Sequence, residues 1–305
     1  MRELVIIGAG PAGLTAGIYG KRAGLDTLII DEAGIGGGQV LTTYEVDNYP
    51  GLPGISGMEL GSKLEEHAKA AGVEFMEATL TGIDISGDIK KLHLAEGDIE
   101  CRAIIIATGA THKSLGVPGE EELAGMGVSY CATCDGAFFK GRDTAVIGGG
   151  DVALEDALFL ARVCKKVYLI HRRDEFRGAN KLVEDVKATE NIEIIYNSVV
   201  TTINGEDQVE SIAIKNVATG QEGILELQGV FIAVGTHPTT EYLKGCVEMD
   251  ESGYIVADET CMTNIPGIYA AGDVRTKHLR QIVTAAADGA NAVTSVAEYL
   301  REKRG

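Results

Sequence analysis

The chain has no excess of basic residues: 27 Lys and Arg stand against 45 Asp and Glu, a formal net charge of -18. A basic footprint for a phosphate backbone is missing, so nucleic acid is excluded as an expected partner. Long apolar runs are missing too. The runs present are strand-sized, well below the roughly 20 residues that cross a bilayer, and no membrane span is expected. No charged leader with an apolar segment and a cleavage site precedes the first run, Leu4-Val5-Ile6-Ile7, and a soluble cytoplasmic protein is the expectation. Cysteine is present six times but forms only one close pair, Cys131 and Cys134. The other four, Cys101, Cys164, Cys246 and Cys261, read as small apolar core residues, since a reducing cytosol disfavours a disulfide framework.

What the chain does have is glycine, 40 in 305 residues, and a repeat. A buried strand over residues 4–8 runs into Gly8-Ala9-Gly10-Pro11-Ala12-Gly13, a helix to about Ala23, and a strand Thr27–Ile30. The same order recurs with the strand Thr144–Ile147, the turn Gly148-Gly149-Gly150-Asp151-Val152-Ala153, the helix Val152–Val163 and the strand Lys166–Ile170, an offset of 148 − 8 = 140 residues. Each half continues with a helix (Met58–Ala71; Lys181–Thr189) and alternating segments. Those are Gly82–Gly87 and Lys91–Leu94 in the first half, Ile192–Ile203 and Glu210–Val217 in the second. Each half closes on an apolar strand and a small-residue turn, Ala107-Thr108-Gly109 or Ala233-Val234-Gly235. The expected fold is α/β: two Rossmann-like dinucleotide-binding domains, each with an antiparallel meander, the second inserted within the first. Gly116-Val117-Pro118-Gly119 and Thr236-His237-Pro238-Thr239-Thr240 read as linkers, giving segments 1–115, 116–240 and 241–305.

The first glycine turn suits a pyrophosphate at a helix N-terminus. Its second strand ends in Asp31-Glu32, 23 and 24 residues after Gly8, where a carboxylate accepts from a ribose hydroxyl and repels a 2′-phosphate. The second half carries Arg172, Arg173 and Arg177 at the matching place, guanidinium groups suited to a phosphate dianion, or else a solvated basic surface. FAD in the first half and NADPH in the second follow. Gly272-Asp273, with Arg280-Gln281-Ile282 opening the last helix, reads as a flavin-holding turn or an ordinary strand–helix connection. Gly38-Gln39 and Asn48 lie in loops of ligand-binding composition.

Cys131-Ala132-Thr133-Cys134-Asp135 is a redox pair or a zinc half-site; a second pair for zinc is missing, so no metal is expected. Asp135 could protonate a leaving thiolate or cap a helix.

In this order the motifs resemble those of the low-molecular-weight bacterial thioredoxin reductases over nearly the whole chain. The resemblance implies a homodimer that passes electrons from NADPH to FAD, to a Cys131–Cys134 disulfide, and on to thioredoxin, with the two domains rotating about their linkers. By position it assigns Gly8, Gly10, Gly13, Gln39, Asn48, Asp273 and Gln281 to FAD, the three arginines to NADPH, and Cys131, Cys134 and Asp135 to the redox centre. Phe138 and Phe139 would form an apolar thioredoxin-docking surface unless they pack in the core. Two positions depart from the family pattern: Met126 replaces a docking arginine, and Val152 replaces a serine of the second turn. A dithiol oxidase using oxygen and a non-catalytic redox sensor are the competing readings, and the arginine cluster argues against the oxidase.

Overall fold

The computed structural model describes residues 1–43, 45–243 and 245–303. The chain forms two compact units, Met1–Thr111 with His237–Gly305, and His112–Thr236. The first unit opens with β1 (Arg2–Ile7), α1 (Pro11–Arg22) and β2 (Thr27–Asp31). Pro11 at the first helical position has the right φ and no N–H to lose. Glycines inside a helix normally weaken it, yet α1 keeps Gly13 and Gly17 because side chains there would strike the backbone oxygen of Gly8 and the side chain of Ile29. Then come α2 (Gly57–Ala70), capped by the Ser56 hydroxyl accepting from Glu59 N at 3.2 Å, and β3 (Glu74–Glu77). The meander is β4 (Leu80–Asp84) and β5 (Lys90–Leu94), which runs into β6 (Gly97–Ile106).

The sheet order is β3-β2-β1-β6-β5-β4. The ten-residue β6 has two roles. Its first half pairs antiparallel with β5, and Cys101 to Ile106 lie parallel to β1. The next strand, β7 (Ala110–His112), leads to the unit boundary.

The second unit contains β8 (Val128–Ser129), the single turn α3 (Ala132–Asp135), β9 (Asp143–Gly148), α4 (Asp151–Ala161), β10 (Lys166–Ile170), α5 (Asn180–Ala188) and β11 (Ile192–Ile195). After them come β12 (Ser198–Asn204), β13 (Ser211–Asn216), β14 (Glu222–Glu226), β15 (Gly229–Ala233) and β16 (Thr236–Pro238). A five-stranded parallel sheet runs β11-β10-β9-β15-β8, while β12-β13-β14 form a separate antiparallel sheet. The span 192–203, expected as one segment, is two strands in two sheets, because Asn197 takes φ 51° and turns the chain between them.

The chain passes between units after Thr111 and after Thr236, and β7 and β16 pair there as a short ribbon. Gly116–Gly119 is not free to act as a hinge. It is fastened within the second unit: the buried Glu120 carboxylate accepts from Leu115 N (2.9 Å) and Gly116 N (2.7 Å), and Ile203 N donates to Pro118 O (2.9 Å). On its return the chain adds β17 (Ile268–Ala270), parallel to the last three residues of β6, and the 21-residue α6 (Ile282–Glu302), which packs against α1. Apolar side chains such as Leu4, Ile6, Ile29, Ile105 and Val296 fill one face of the first sheet; Val5, Leu28, Ile104 and Ile106 fill the other. Strands buried on both faces explain the near-continuous apolar runs.

Candidate active site

In the first unit, Gly8 has φ +104°, and a Cβ there would lie 2.4 Å from Ala107 O; at Gly13 it would lie 1.9 Å from Gly8 O. Only bare backbone fits. Gly10 is different: it is the N-cap of α1, has no side-chain cap bond, and nothing lies within 4 Å of a would-be Cβ. The first N–H groups of α1 thus face open space in a form suited to an anion. Asp31 Oδ2 accepts from Ala9 N at 2.7 Å and Oδ1 from Ala33 N at 2.9 Å, which fixes the carboxylate at the rim of the turn. Glu32 Oε1 accepts from the Thr79 hydroxyl at 3.1 Å. Gly37 N donates to Ala9 O (2.8 Å), and a Cβ on Gly38 would sit 3.1 Å from Gly10 Cα. The glycine loop before Gln39 therefore closes over the turn, and Gln39 is exposed beside it.

Asn48 and Gln281, 233 residues apart, meet: Asn48 Nδ2 donates to Gln281 Oε1 at 2.9 Å. Gln281 is also the N-cap of α6 in a capping box with Thr284, and Ile282 is the first residue of that helix. Thr108 Oγ1 donates to Thr239 O at 2.8 Å, and Gly109 (φ +69°) accepts from Thr239 N. Gly272 has φ +80° and lies against Ala12. Next to it, Asp273 carries a buried Oδ1 that has no hydrogen-bond partner among the described residues, and burial pushes this carboxyl upward against the opposing charges of Lys277 and Arg280. Arg280 donates to Asp273 O at 3.3 Å and lies 4.0 Å over the Tyr254 ring. An orphaned buried oxygen beside an open helix N-terminus is what a bound nucleotide would satisfy. These residues fit a flavin nucleotide.

The second unit repeats the plan. A Cβ on Gly148 would lie 2.4 Å from Ala233 O, and one on Gly149 2.2 Å from the His171 ring, while Gly150, the N-cap of α4, faces open space. Gly235 (φ +112°) accepts from Lys113 N at 3.0 Å. Arg172, Arg173 and Arg177 are exposed, and among the described residues none is ion-paired. Arg177 N donates to Gly149 O at 2.8 Å, tying the cluster to the turn. Asp151 accepts from Ala179 N at 2.7 Å through Oδ1, fastening the turn to the start of α5, and Val152 is 62% exposed in the first turn of α4. This arrangement fits a phosphorylated nucleotide.

Cys131 and Cys134 form a disulfide at the two ends of the first turn of α3, with Asp135 N and Cys134 N both donating to Cys131 O. The Asp135 carboxylate does not cap a helix. Its Oδ2 accepts from Ser129 Oγ at 2.6 Å, and Ser129 Oγ accepts in turn from Cys131 N at 3.1 Å. Burial pushes Asp135 upward, the Ser129 hydroxyl partly opposing. A buried carboxyl whose proton affinity burial raises therefore stands beside the disulfide. Among the described residues no group of His, Cys, Asp or Glu could hold a metal.

Residues 2–289 match the model of the pyridine nucleotide-disulphide oxidoreductase family. The chain is 46% identical to a thioredoxin reductase of Listeria innocua, over 98% of this chain and 94% of that protein. It is 43% identical to one of Bacillus subtilis, over 98% and 95%. The crystal structure of the Streptococcus pyogenes thioredoxin reductase superposes with a TM-score of 0.94 at 44% identity, covering 99% of both chains. The chain belongs to the thioredoxin reductases. In this reductase the Cys131–Cys134 pair is the redox-active disulfide, and use of a flavin and a pyridine nucleotide comes with the family.

Phe139 does not join a docking surface. Its ring is 8% exposed, meets Phe231 edge-on at 5.3 Å, and covers Gly229, where a Cβ would strike it; only Phe138 reaches solvent. Sequence reasoning missed two buried groups in the reductase. One is Glu120, whose Oε1 accepts from the Tyr130 hydroxyl at 2.8 Å beside Cys131, while Tyr130 stacks on His112 at 5.2 Å. The other is the cluster of Arg275, Lys277 and Asp288. No helix or strand period marks either: Glu120 binds loop backbone at Leu115 and Gly116 as well as Tyr130, and Asp288 binds a turn 11 to 16 residues before it.

Proposed function

We propose that the chain couples oxidation of NADPH to reduction of a thioredoxin disulfide, with FAD held by the first unit and NADPH by the second. The observation that carries the reading is a closed disulfide with the buried Asp135 carboxyl beside it, in a chain with two glycine turns that each open a helix. Bound FAD supplies a two-electron relay between a hydride donor and a disulfide. The chain's own residues do the rest. The open N–H groups after Gly10 and Gly150 bind pyrophosphate. Asp31 favours an unphosphorylated ribose in the first unit, and Arg172, Arg173 and Arg177 bind a 2′-phosphate in the second. When Cys131–Cys134 opens, Asp135 gives its proton to a departing thiolate, and the dithiol then opens the partner's disulfide by exchange. Per cycle one hydride and one proton are consumed, NADP⁺ and a partner dithiol are released, and Cys131–Cys134 is closed again. A homodimer in the cytoplasm completes the proposal; it rests on the family likeness.

The test is direct. Purified protein should release FAD on heating and oxidise NADPH when thioredoxin is added. Cys134→Ser should abolish thioredoxin reduction while NADPH still bleaches the flavin absorbance. Thioredoxin turnover persisting in that variant refutes the relay, and stoichiometric zinc in the wild type replaces it with a metal site.

A further inference from the structure

The side chain of Asp288, in the second turn of α6, is 5% exposed, and it gathers three neighbours. Its Oδ2 accepts from Gly272 N (2.9 Å), Arg275 Nε (2.9 Å) and Lys277 Nζ (2.8 Å), and its Oδ1 from Arg275 Nη2 (2.8 Å). All of these lie in the turn that carries Asp273. The adjacent Gly289 binds α6 to a second place: a Cβ there would lie 2.2 Å from Ala12 O and 2.9 Å from Ala16 N, so only bare backbone lets α6 close on the first turns of α1. The Asp288-Gly289 dipeptide thus fastens together the two segments that face a flavin nucleotide, the glycine turn at the start of α1 and the 272–277 turn.

Charge is out of balance there. Arg275 and Lys277 are 4% and 6% exposed in their side chains, and Arg280 stands over Tyr254; against these three cations the carboxylates withdrawn from water are two, Asp288 and Asp273, while Asp258, which also acts on Arg275, is exposed. Glu259 lies 3.9 Å from Arg275, but its side chain is 93% exposed and water screens it. A buried cation lacking a counter-charge is costly unless an anion arrives.

We propose that Asp288 and Lys277 are positioning residues for the flavin nucleotide: Asp288 holds the 272–277 turn against α1 so that Asp273 presents its unpartnered oxygen, and Lys277 supplies the surplus positive charge that retains the cofactor's anionic portion. This rests on the reading of the first unit as the FAD site. The arrangement would matter for cofactor retention before it mattered for electron transfer, since neither Asp288 nor Lys277 need touch the reacting atoms.

The experiment follows flavin release from the diluted holoenzyme by the rise of flavin fluorescence. Lys277→Met keeps the Asp288–Arg275 pair and the Gly272 bond but removes the surplus charge, and release should quicken at least tenfold. Lys277→Arg should release at the wild-type rate, and Asp288→Asn, which weakens every bond in the cluster, at least as fast as Lys277→Met. Equal acceleration by Lys277→Met and Lys277→Arg would show that shape and not charge is at stake, and would overturn the proposal. So would release within twofold of wild type in Lys277→Met and Asp288→Asn, even if their unfolding temperatures fall. Wild-type protein that carries no flavin overturns the FAD reading and this inference with it; wild type that carries FAD with unaffected variants overturns the inference alone.

Discussion

At the turn after β1 a Cβ on Gly8 would lie 2.4 Å from the carbonyl oxygen of Ala107; at the turn after β9 one on Gly148 would lie 2.4 Å from that of Ala233. Gly10 and Gly150 each cap a helix with open space before them. The backbone plan is therefore the same in both units. What differs is the material behind it. Under the first turn Asp31 holds Ala9 N, whereas beneath Gly149 lies the His171 ring, followed by arginines. Farther along, α1 buries Ala16 where α4, 140 residues on, carries the acid Asp156. In the function proposed above, close backbone packing sets where a pyrophosphate can sit, and the residue at the end of the second strand sets which ribose goes with it. One can be altered while the other stays.

The sharpest break in the comparison should come from the glycines. Gly13→Ala puts a methyl group 1.9 Å from Gly8 O, a backbone clash with nowhere to relax. It should cost about 3 kcal/mol of stability and empty the flavin site, read as lost flavin absorbance and a lower unfolding temperature. Gly150→Ala, facing open space, should leave stability unchanged and raise KM for NADPH, because the methyl group occupies the approach to the helix N–H groups. If both variants behave alike, the division between backbone packing and ligand approach fails.

Next in size is the arginine cluster. Charge-assisted hydrogen bonds contribute about 1.5–3 kcal/mol each, so two to a 2′-phosphate give roughly 10²- to 10⁴-fold preference for NADPH over NADH. Arg172→Ala with Arg173→Ala should erase most of that preference, measured as the ratio of kcat/KM values, with flavin content unchanged. Equal kcat/KM for the two nucleotides in the wild type would remove the charge contrast between the units.

The smallest effect concerns Asp156. Burial, with help from the neighbouring Glu155 charge, pushes its carboxyl up to about 7. An unfolded chain releases this proton near pH 4, so between about pH 4 and 7 the folded state holds a proton that the unfolded state has lost. Stability drains away as pH rises through that window. Asp156→Asn should raise the unfolding temperature by about 3 °C at pH 8 and by less at pH 5. An equal gain at both pH values would mean that the side chain's charge is immaterial.

The repeat was legible because close packing leaves a local mark. Gly13 is dictated by Gly8 five residues before it. Although Gly8 and Gly148 answer to Ala107 and Ala233 across their sheets, the glycine spacing after an apolar strand, with Asp31 or Arg172 at the end of the next strand, is written within about 25 residues in each half. Residues whose reason lies far along the chain were not legible. Asn48 and Gln281 could be named by resemblance, but not their bond across 233 residues. Asp288 reads as one more helical acid until Arg275 and Lys277 are folded onto it. Val128–Ser129 is too short to show a strand period, and β14 and β15 are separate strands in separate sheets. In the first unit the same stretch, β6, is continuous.

The return of the chain to the first unit has a consequence in time. As the polypeptide is made, residues 112–236 are complete once Thr236 has appeared, and that unit can fold while synthesis continues. The first unit must wait. Its β6 edge and the face of α1 stay bare until β17 and α6 are made, which at 5–20 residues per second is on the order of several seconds. During that interval the newborn chain exposes Ile104, Ile106 and Ala16, all fully buried at the end, and a chaperone acting on this protein would find its purchase there.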